Sequence, residues 1–307
     1  MAKKRSRGKR IQKGILHFII FLFFVLNYYK IRLMPAVFYP VFARITGLMT
    51  FGTMRKNRKL ILKNLDIAYG DGMSREEKIR ICREIFVSIV LDLCETIQIG
   101  KLTDQQLLDT AVIEGEENLK TALKEGKGVV AVCPHMGNFP KLQAVLTKKG
   151  LPVTYFSRPP SGDHLARFFK RLIGSVNVPL IYVVDMKKAI KESLKWLAGN
   201  GVLGFYIDQH TRSGVEVAFF NKKVFSPPGA ATFARKCNCP VVGLFTYRMK
   251  DGKQKIIVEG PYPIQRTGNA AQDIQVNTAF FMQRVEHYVR QHPEQWFTWL
   301  SKRFRTP

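Results

Sequence analysis

Acidic residues are scarce in this chain: 23 Asp plus Glu stand against 49 Lys plus Arg, a net charge of +26 over 307 residues. So large an imbalance calls for an anionic partner: nucleic acid, an anionic membrane, or an acidic lipid or carrier. Cysteine is sparse too. Its five residues are unevenly spaced, make no disulfide framework and point to a reducing compartment. Cys237-Asn-Cys239 has the wrong spacing for a Cys-x-x-Cys half-site and reads as packing. His17, His210, His287 and His292 show no metal-like spacing. There is no internal repeat and no long low-complexity segment. No aromatic-basic motif for stacking bases occurs, and the basic residues are spread along the chain, which argues against nucleic acid.

The amino terminus narrows the partner. Lys3, Lys4, Arg5, Arg7, Lys9, Arg10 and Lys13 precede an apolar run from Ile15 to Leu26. That run is shorter than the ~20 residues of an ordinary spanning helix. Tyr28, Tyr29 and Lys30 extend it with residues suited to a membrane interface. No small-residue cleavage site follows, so a retained anchor is favoured over a signal peptide. A second apolar stretch, 33–51, is broken by Pro35, Pro40 and Arg44, and is expected to lie in or on the bilayer. The competing reading is a buried soluble helix. The expected organisation is a disordered basic arm at 1–14, a membrane anchor with interfacial helices at 15–54, and one catalytic domain at 55–307.

Apolar residues make up 46% of the chain, enough for a sizeable core. Residues 55–63 read as a basic linker. Ser74-Arg-Glu-Glu77 opens a helix whose apolar residues recur at three- and four-residue steps through Ile97. Thr103 or Asp104 caps a short helix, and 116–125 reads as a helix ended by Gly126. Beyond it, candidate strands 128–133, 152–156, 179–184, 202–207, 215–219, 240–247 and 254–259 alternate with candidate helices 138–148, 162–173, 186–198, 228–237 and 271–291. Alternation of this kind predicts an α/β fold with a mixed, mostly parallel central sheet covered by helices.

The run Gly128-Val-Val-Ala-Val-Cys-Pro-His-Met-Gly-Asn-Phe-Pro140 is the most informative. Its β-branched start reads as a strand buried on both faces, and Pro134 stops the pairing. His135 is thereby presented at a strand's carboxyl end, where α/β proteins gather ligands and catalytic groups. Asp208 follows the apolar strand 202–207 and is placed to share that crevice, fixing the imidazole's tautomer; a turn residue is the plainer reading. Arg158 follows strand 152–156 and suits an anion or a developing oxyanion, unless it is a solvated loop arginine. His164, Arg167, Lys170 and Arg171 follow on a helix, either binding an anionic headgroup or carrier or forming a solvated face. Gly137 and Asn138 make the turn after His135, and Gln209 follows Asp208.

In their order along the chain, these pieces resemble the late lipid A acyltransferases, the lauroyl and myristoyl transferases of the wider lysophospholipid acyltransferase-like superfamily. The resemblance is carried by the amino-terminal anchor, Arg58 to Asn64, His135-Met-Gly-Asn138, Arg158-Pro159, Asp208-Gln209, Gly214-Val-Glu-Val-Ala-Phe-Phe220, Pro228-Gly-Ala-Ala231, Pro240-Val-Val242 and Pro293-Glu-Gln-Trp-Phe297. It implies a glycerol-phosphate acyltransferase-like fold. It also implies transfer of an acyl chain from an acyl carrier protein or coenzyme A thioester to a hydroxyl of an anionic membrane glycolipid or phospholipid. His135 is then the general base, and Arg158 stabilises charge on the thioester oxygen. Gly137, Asn138, His164, Arg167, Lys170, Arg171 and Gln209 line the substrates, and no metal or prosthetic group is required. The inner membrane, at its cytoplasmic face, is the implied location. The family signature places Asp or Glu five residues after the histidine, where this chain has Pro140. Asp208 is then the carboxylate expected to orient His135; the alternative is a lipid-binding homologue without turnover. Trp299-Leu-Ser-Lys302 likewise stands where the family usually carries a His-Arg-like ending.

Overall fold

A computed structural model describes residues 25–157 and 178–304. Seven strands form one sheet in the order β1-β9-β8-β2-β5-β3-β4. They are β1 (Ala111–Glu114), β2 (Val129–Cys133), β3 (Val153–Ser157), β4 (Leu180–Tyr182), β5 (Val202–Tyr206), β8 (Val241–Arg248) and β9 (Gln254–Glu259). β8, β2, β5, β3 and β4 are mutually parallel, whereas β9 pairs antiparallel with β8 and β1 joins β9 in parallel. The fold is therefore α/β with a mostly parallel sheet, as the alternation predicts. The pair β6 (Val215–Phe219) and β7 (Lys222–Ser226) forms a separate hairpin. Its two loop residues, Phe220 and Asn221, both have positive φ, +51° and +55°, the conformation that matches the twist of a tight hairpin.

All five residues of β2 are buried. Val130 and Val132 pack into one core, and Val129, Ala131 and Cys133 into another on the opposite face. A strand buried on both sides needs an unbroken apolar run, which residues 129–133 supply. The helices around it are α2 (Tyr39–Thr53), α3 (Arg55–Tyr69), α4 (Arg75–Gln98), α5 (Asp104–Asp109), α6 (Glu116–Leu123), α7 (Phe139–Lys148), α8 (Met186–Ala198), α9 (Gly229–Cys237) and α10 (Ala270–Gln291), preceded by α1 (Val25–Leu33). Ser74 Oγ accepts from the Glu77 N–H at 3.1 Å, and Thr103 and Gln106 form a reciprocal capping box. Pro228 occupies the position just before the first turn of α9, with no side-chain cap.

Two elements differ from the sequence reading. Residues 55–63 are the first half of α3, not a linker. Exposed Arg55, Lys56, Lys59 and Lys63 hide a narrow apolar stripe, since only Ile61 and Leu65, one turn apart, are buried with Asn64. Strand β1 escaped notice because it is four residues long and half-exposed, and pairing with β9 makes it a strand. The expected helix 162–173 and the basic arm lie outside the described residues.

At the amino terminus, α1 and the helical stretch Ala36–Thr53 meet at 116°, with Pro35 between them. Among the described residues no single helix is long and apolar enough to cross a membrane. Tyr39, Ala43 and Gly47 form the buried face of α2, and a Cβ on Gly47 would come within 2.6 Å of Val87 Cα on α4. The opposite face leaves Val41, Ile45 and Met49 exposed, with Val37 and Phe38 just before it.

Candidate active site

β2 and β5 are neighbouring parallel strands, and Cys133 pairs with Tyr206. The chain leaves both strands at the same end, so His135 and Asp208 emerge side by side although 73 residues apart. His135 Nδ1 lies 2.7 Å from Asp208 Oδ1, and the His135 backbone N–H donates to Oδ2 at 2.9 Å. Oδ2 also accepts from Trp296 Nε1 at 2.8 Å and from Thr298 Oγ1 at 2.7 Å. Asp208 is wholly buried. Burial alone would raise its pKa, but the opposed His135 ring, its hydrogen bonds and the Thr298 hydroxyl more than offset this and lower it to about 2. The carboxylate has no proton to give, so the ring proton sits on Nδ1 and the Nε2 lone pair is left free.

Aromatic rings hold the imidazole in place. Tyr206 stacks on it with centroids 4.2 Å apart, and Phe139 meets it edge-on at 5.2 Å. Tyr206 is fixed in turn, its hydroxyl accepting from Gln143 Nε2 at 2.6 Å. The His135 side chain retains 15% of its exposure. Among the described residues no hydrogen bond reaches Nε2. A tautomer set by a buried carboxylate, a clamped ring and one open nitrogen are what general-base chemistry requires of a histidine.

Gly137 permits the turn after the histidine. Its φ is +52°, and a Cβ there would meet the Thr246 carbonyl oxygen at 2.6 Å. The carboxyl-terminal segment then crosses the site. Gly137 N–H donates to Gln295 O at 2.9 Å, Phe297 N–H donates to His135 O at 2.8 Å, and Met136 bridges Trp296. Asn64 Nδ2 ties this segment to α3 through the carbonyls of Trp299 and Ser301, each at 2.8 Å.

Asn138 is fully buried, and its amide is occupied by protein groups. Oδ1 accepts from Lys141 N–H and Thr96 Oγ1, both at 3.1 Å; Nδ2 donates to Asp92 O and Glu95 Oε2, both at 3.2 Å. It thus caps α7 and fastens it to α4. Around it lies a network of charges. Arg248 pairs with Asp92 at 2.6 Å and with Glu95, and Lys141 pairs with Glu95 at 2.6 Å. Partial burial pushes Asp92 up to about 6; Glu95, also half-buried, is instead lowered by Lys141 and Arg248. Pro140 sits in the first turn of α7, where a missing N–H does no harm. Gln209 is exposed beside the pair. Arg158, His164, Arg167, Lys170 and Arg171 lie outside the described residues.

Sequence reasoning passed over Trp296, Thr298, Tyr206 and Gln143. The one signal for Trp296 was Pro293-Glu-Gln-Trp-Phe297 in the tail; nothing local to Thr298 or Gln143 marks either residue.

A histidine–carboxylate pair at the carboxyl end of a mostly parallel sheet places this α/β protein among those that gather their functional groups at the strand ends. The chain belongs to the bacterial lipid A biosynthesis acyltransferase family, whose sequence profile matches residues 8–306. It is therefore a member of a family of acyl-transferring enzymes. No individual curated protein matches it significantly.

Proposed function

We propose that the chain moves a fatty acyl group from a thioester, on acyl carrier protein or coenzyme A, to a hydroxyl of a lipid A-type glycolipid or related phospholipid. One observation carries this reading: the 2.7 Å contact between His135 Nδ1 and the buried Asp208 carboxylate, in a chain of this family. An alcohol is a poor nucleophile, so Nε2 takes its proton as the oxygen attacks the thioester carbonyl. The tetrahedral intermediate then collapses, the C–S bond breaks, and the leaving thiolate recovers the proton from Nε2. Asp208 offsets the positive charge that the ring carries in between. Arg158 is the proposed partner of the oxyanion. The carboxylate that the family supplies five residues after the histidine is, in this reading, replaced by Asp208. That substitution favours turnover over mere lipid binding.

The test is to incubate purified protein with acyl carrier and coenzyme A thioesters and membrane lipid acceptors, following products by mass spectrometry. An acceptor heavier by one acyl chain is expected. Failure with every donor and acceptor would favour the lipid-binding alternative.

The acceptor sits in a bilayer, and the exposed face of α2 suits an interfacial position at the cytoplasmic leaflet of the inner membrane. Val37, Phe38, Val41, Ile45 and Met49 project there, and exposed Arg55, Lys56, Lys59 and Lys63 follow on α3. A chain trimmed to begin at residue 25 is expected to bind anionic vesicles still. The double change Val41→Asp and Ile45→Asp removes two exposed apolar groups that docking would bury in the bilayer, each worth about 1.5–3 kcal/mol. It should therefore weaken that binding by about tenfold or more in flotation assays. Unchanged binding would assign docking to charge alone.

A further inference from the structure

β2 ends at Cys133, whereas β8 runs on beyond Gly243, the partner of Val132, to Arg248. β2 no longer lies beside β8 when Arg248 is reached. The backbone groups of Arg248 are taken instead by one side chain, that of Gln295. The Arg248 N–H donates to Gln295 Oε1 at 2.6 Å, and Gln295 Nε2 donates to Arg248 O at 3.1 Å. A primary amide carries an acceptor and a donor side by side, so it answers both backbone groups as a neighbouring strand would. Nε2 also lies 3.4 Å from Glu294 Oε1.

The backbone of Gln295 opens a short antiparallel bridge to the histidine turn. Its carbonyl accepts from Gly137 N–H at 2.9 Å, Met136 faces Trp296, and Phe297 N–H donates to His135 O at 2.8 Å. Side chains alternate along it. Trp296 and Thr298 are buried and reach Asp208 Oδ2 at 2.8 and 2.7 Å, while Phe297 between them is 41% exposed. A slip of one residue would turn Phe297 toward the carboxylate and both donors away from it. So short a bridge does not set its own register. His292 stacks on Tyr247 at 3.9 Å, but contact between ring faces tolerates sliding. Asn64 on the carbonyls of Trp299 and Ser301, and Arg303 on Phe225 O and Ser226 Oγ, hold the chain that follows Thr298. The two directional bonds of Gln295 act ahead of Trp296.

We infer that Gln295 is a positioning residue for the His135–Asp208 pair: its amide locks the tail in register against the end of β8, so that Trp296 and Thr298 meet the carboxylate and the backbone of His135 is held. Gln295 touches neither member of the pair with its side chain. It acts through Trp296, Phe297 and Gly137. The inference rests on the acyl-transfer reading only for the use to which the pair is put.

The test is NMR hydrogen exchange of the indole N–H groups in the full chain, with Trp296 assigned by the signal lost in Trp296→Phe. That proton is bound to a buried carboxylate and is expected to exchange slowly. Gln295→Met keeps the length of the side chain and removes both amide bonds. Exchange at Trp296 should then quicken by about tenfold or more, as two ordinary hydrogen bonds are lost. The indole of Trp196, held by Pro152 O and Val202 O, should not change. Leu119→Ala, which opens the core under α6, is the control for general loss of stability and should leave Trp296 slow relative to Trp196. Unchanged exchange in folded Gln295→Met, or equal quickening in Leu119→Ala, overturns the inference. If Gln295→Met does not fold, Gln295→Glu decides. It keeps the acceptor for Arg248 N–H and loses the donor to Arg248 O, so exchange should quicken by about threefold or more; an unmoved rate there overturns the inference as well. Turnover gives a second readout: kcat of Gln295→Met should fall by about tenfold or more with KM for the thioester unchanged. The exchange measurement needs no turnover. Fast exchange in a protein that transfers nothing would fail the acyl-transfer reading alone, and an unmoved rate in an active protein would fail this inference alone.

Discussion

Replacing His135 with alanine is expected to slow acyl transfer by about 10²–10⁴-fold, the usual contribution of general-base assistance. Thermal unfolding should change far less. The ring sits at the end of β2 and keeps part of its exposure, with Tyr206 and Phe139 on two sides and Asp208 on a third. Its loss leaves a void at the site's mouth, not in the sheet. KM for the thioester should stay near its original value, because Nε2 acts on the alcohol's proton and not on the donor. Steady-state kinetics at saturating donor, with a melting curve beside them, check both expectations. A kcat within a factor of about three of the starting protein would remove His135 from the chemistry.

Asp208→Asn is expected to be nearly as severe for turnover, and worse for stability. An amide cannot offset the charge that builds on the ring, and it leaves the imidazole free to take the wrong tautomer; losses of about 10⁴-fold follow from that change in other His–Asp pairs. The amide also places two donors where one carboxylate oxygen now accepts from His135, Trp296 and Thr298, so buried N–H groups would lose partners. The pH dependence has a definite sign. Asp208 titrates at about 2 in the fold, below the ~3.9 of an unfolded aspartate. Its contribution to stability is therefore complete above about pH 4 and lost as the pH falls through about 2, and it amounts to about 2–3 kcal/mol. The stability gap between the original protein and Asp208→Asn should accordingly narrow as denaturant melts are taken from pH 5 toward pH 2. A constant gap would mean that the carboxylate's charge does not stabilise the fold.

The sequence revealed the strand ends but not which strands are neighbours. The apolar run 129–133, with Pro134 behind it, marks where the chain must leave the sheet, and 202–207 does the same before Asp208. That β2 and β5 lie side by side with Cys133 opposite Tyr206 is set by helix packing on both faces, which no local pattern encodes. The donors that hold Asp208 were harder still to find. Trp296 and Thr298 sit in short turns near the tail, with no periodicity to betray an inward face. Asn138 was legible as a turn residue, but its bonds to Thr96, Asp92 and Glu95 belong to α4, more than forty residues earlier. α3 was misread because charge dominates its opening residues, 55–59, while the two buried apolar side chains that seat it, Ile61 and Leu65, come after them.

The way the tail closes over the histidine also bears on how the protein is made. His135 and Asp208 leave the ribosome well before Trp296, Thr298 and Arg303. A nascent chain that has already folded its sheet holds the imidazole and the carboxylate, but not the indole and hydroxyl that steady them. Competence thus arrives only once residues 296–298 have been translated, and shorter nascent chains lack a settled base.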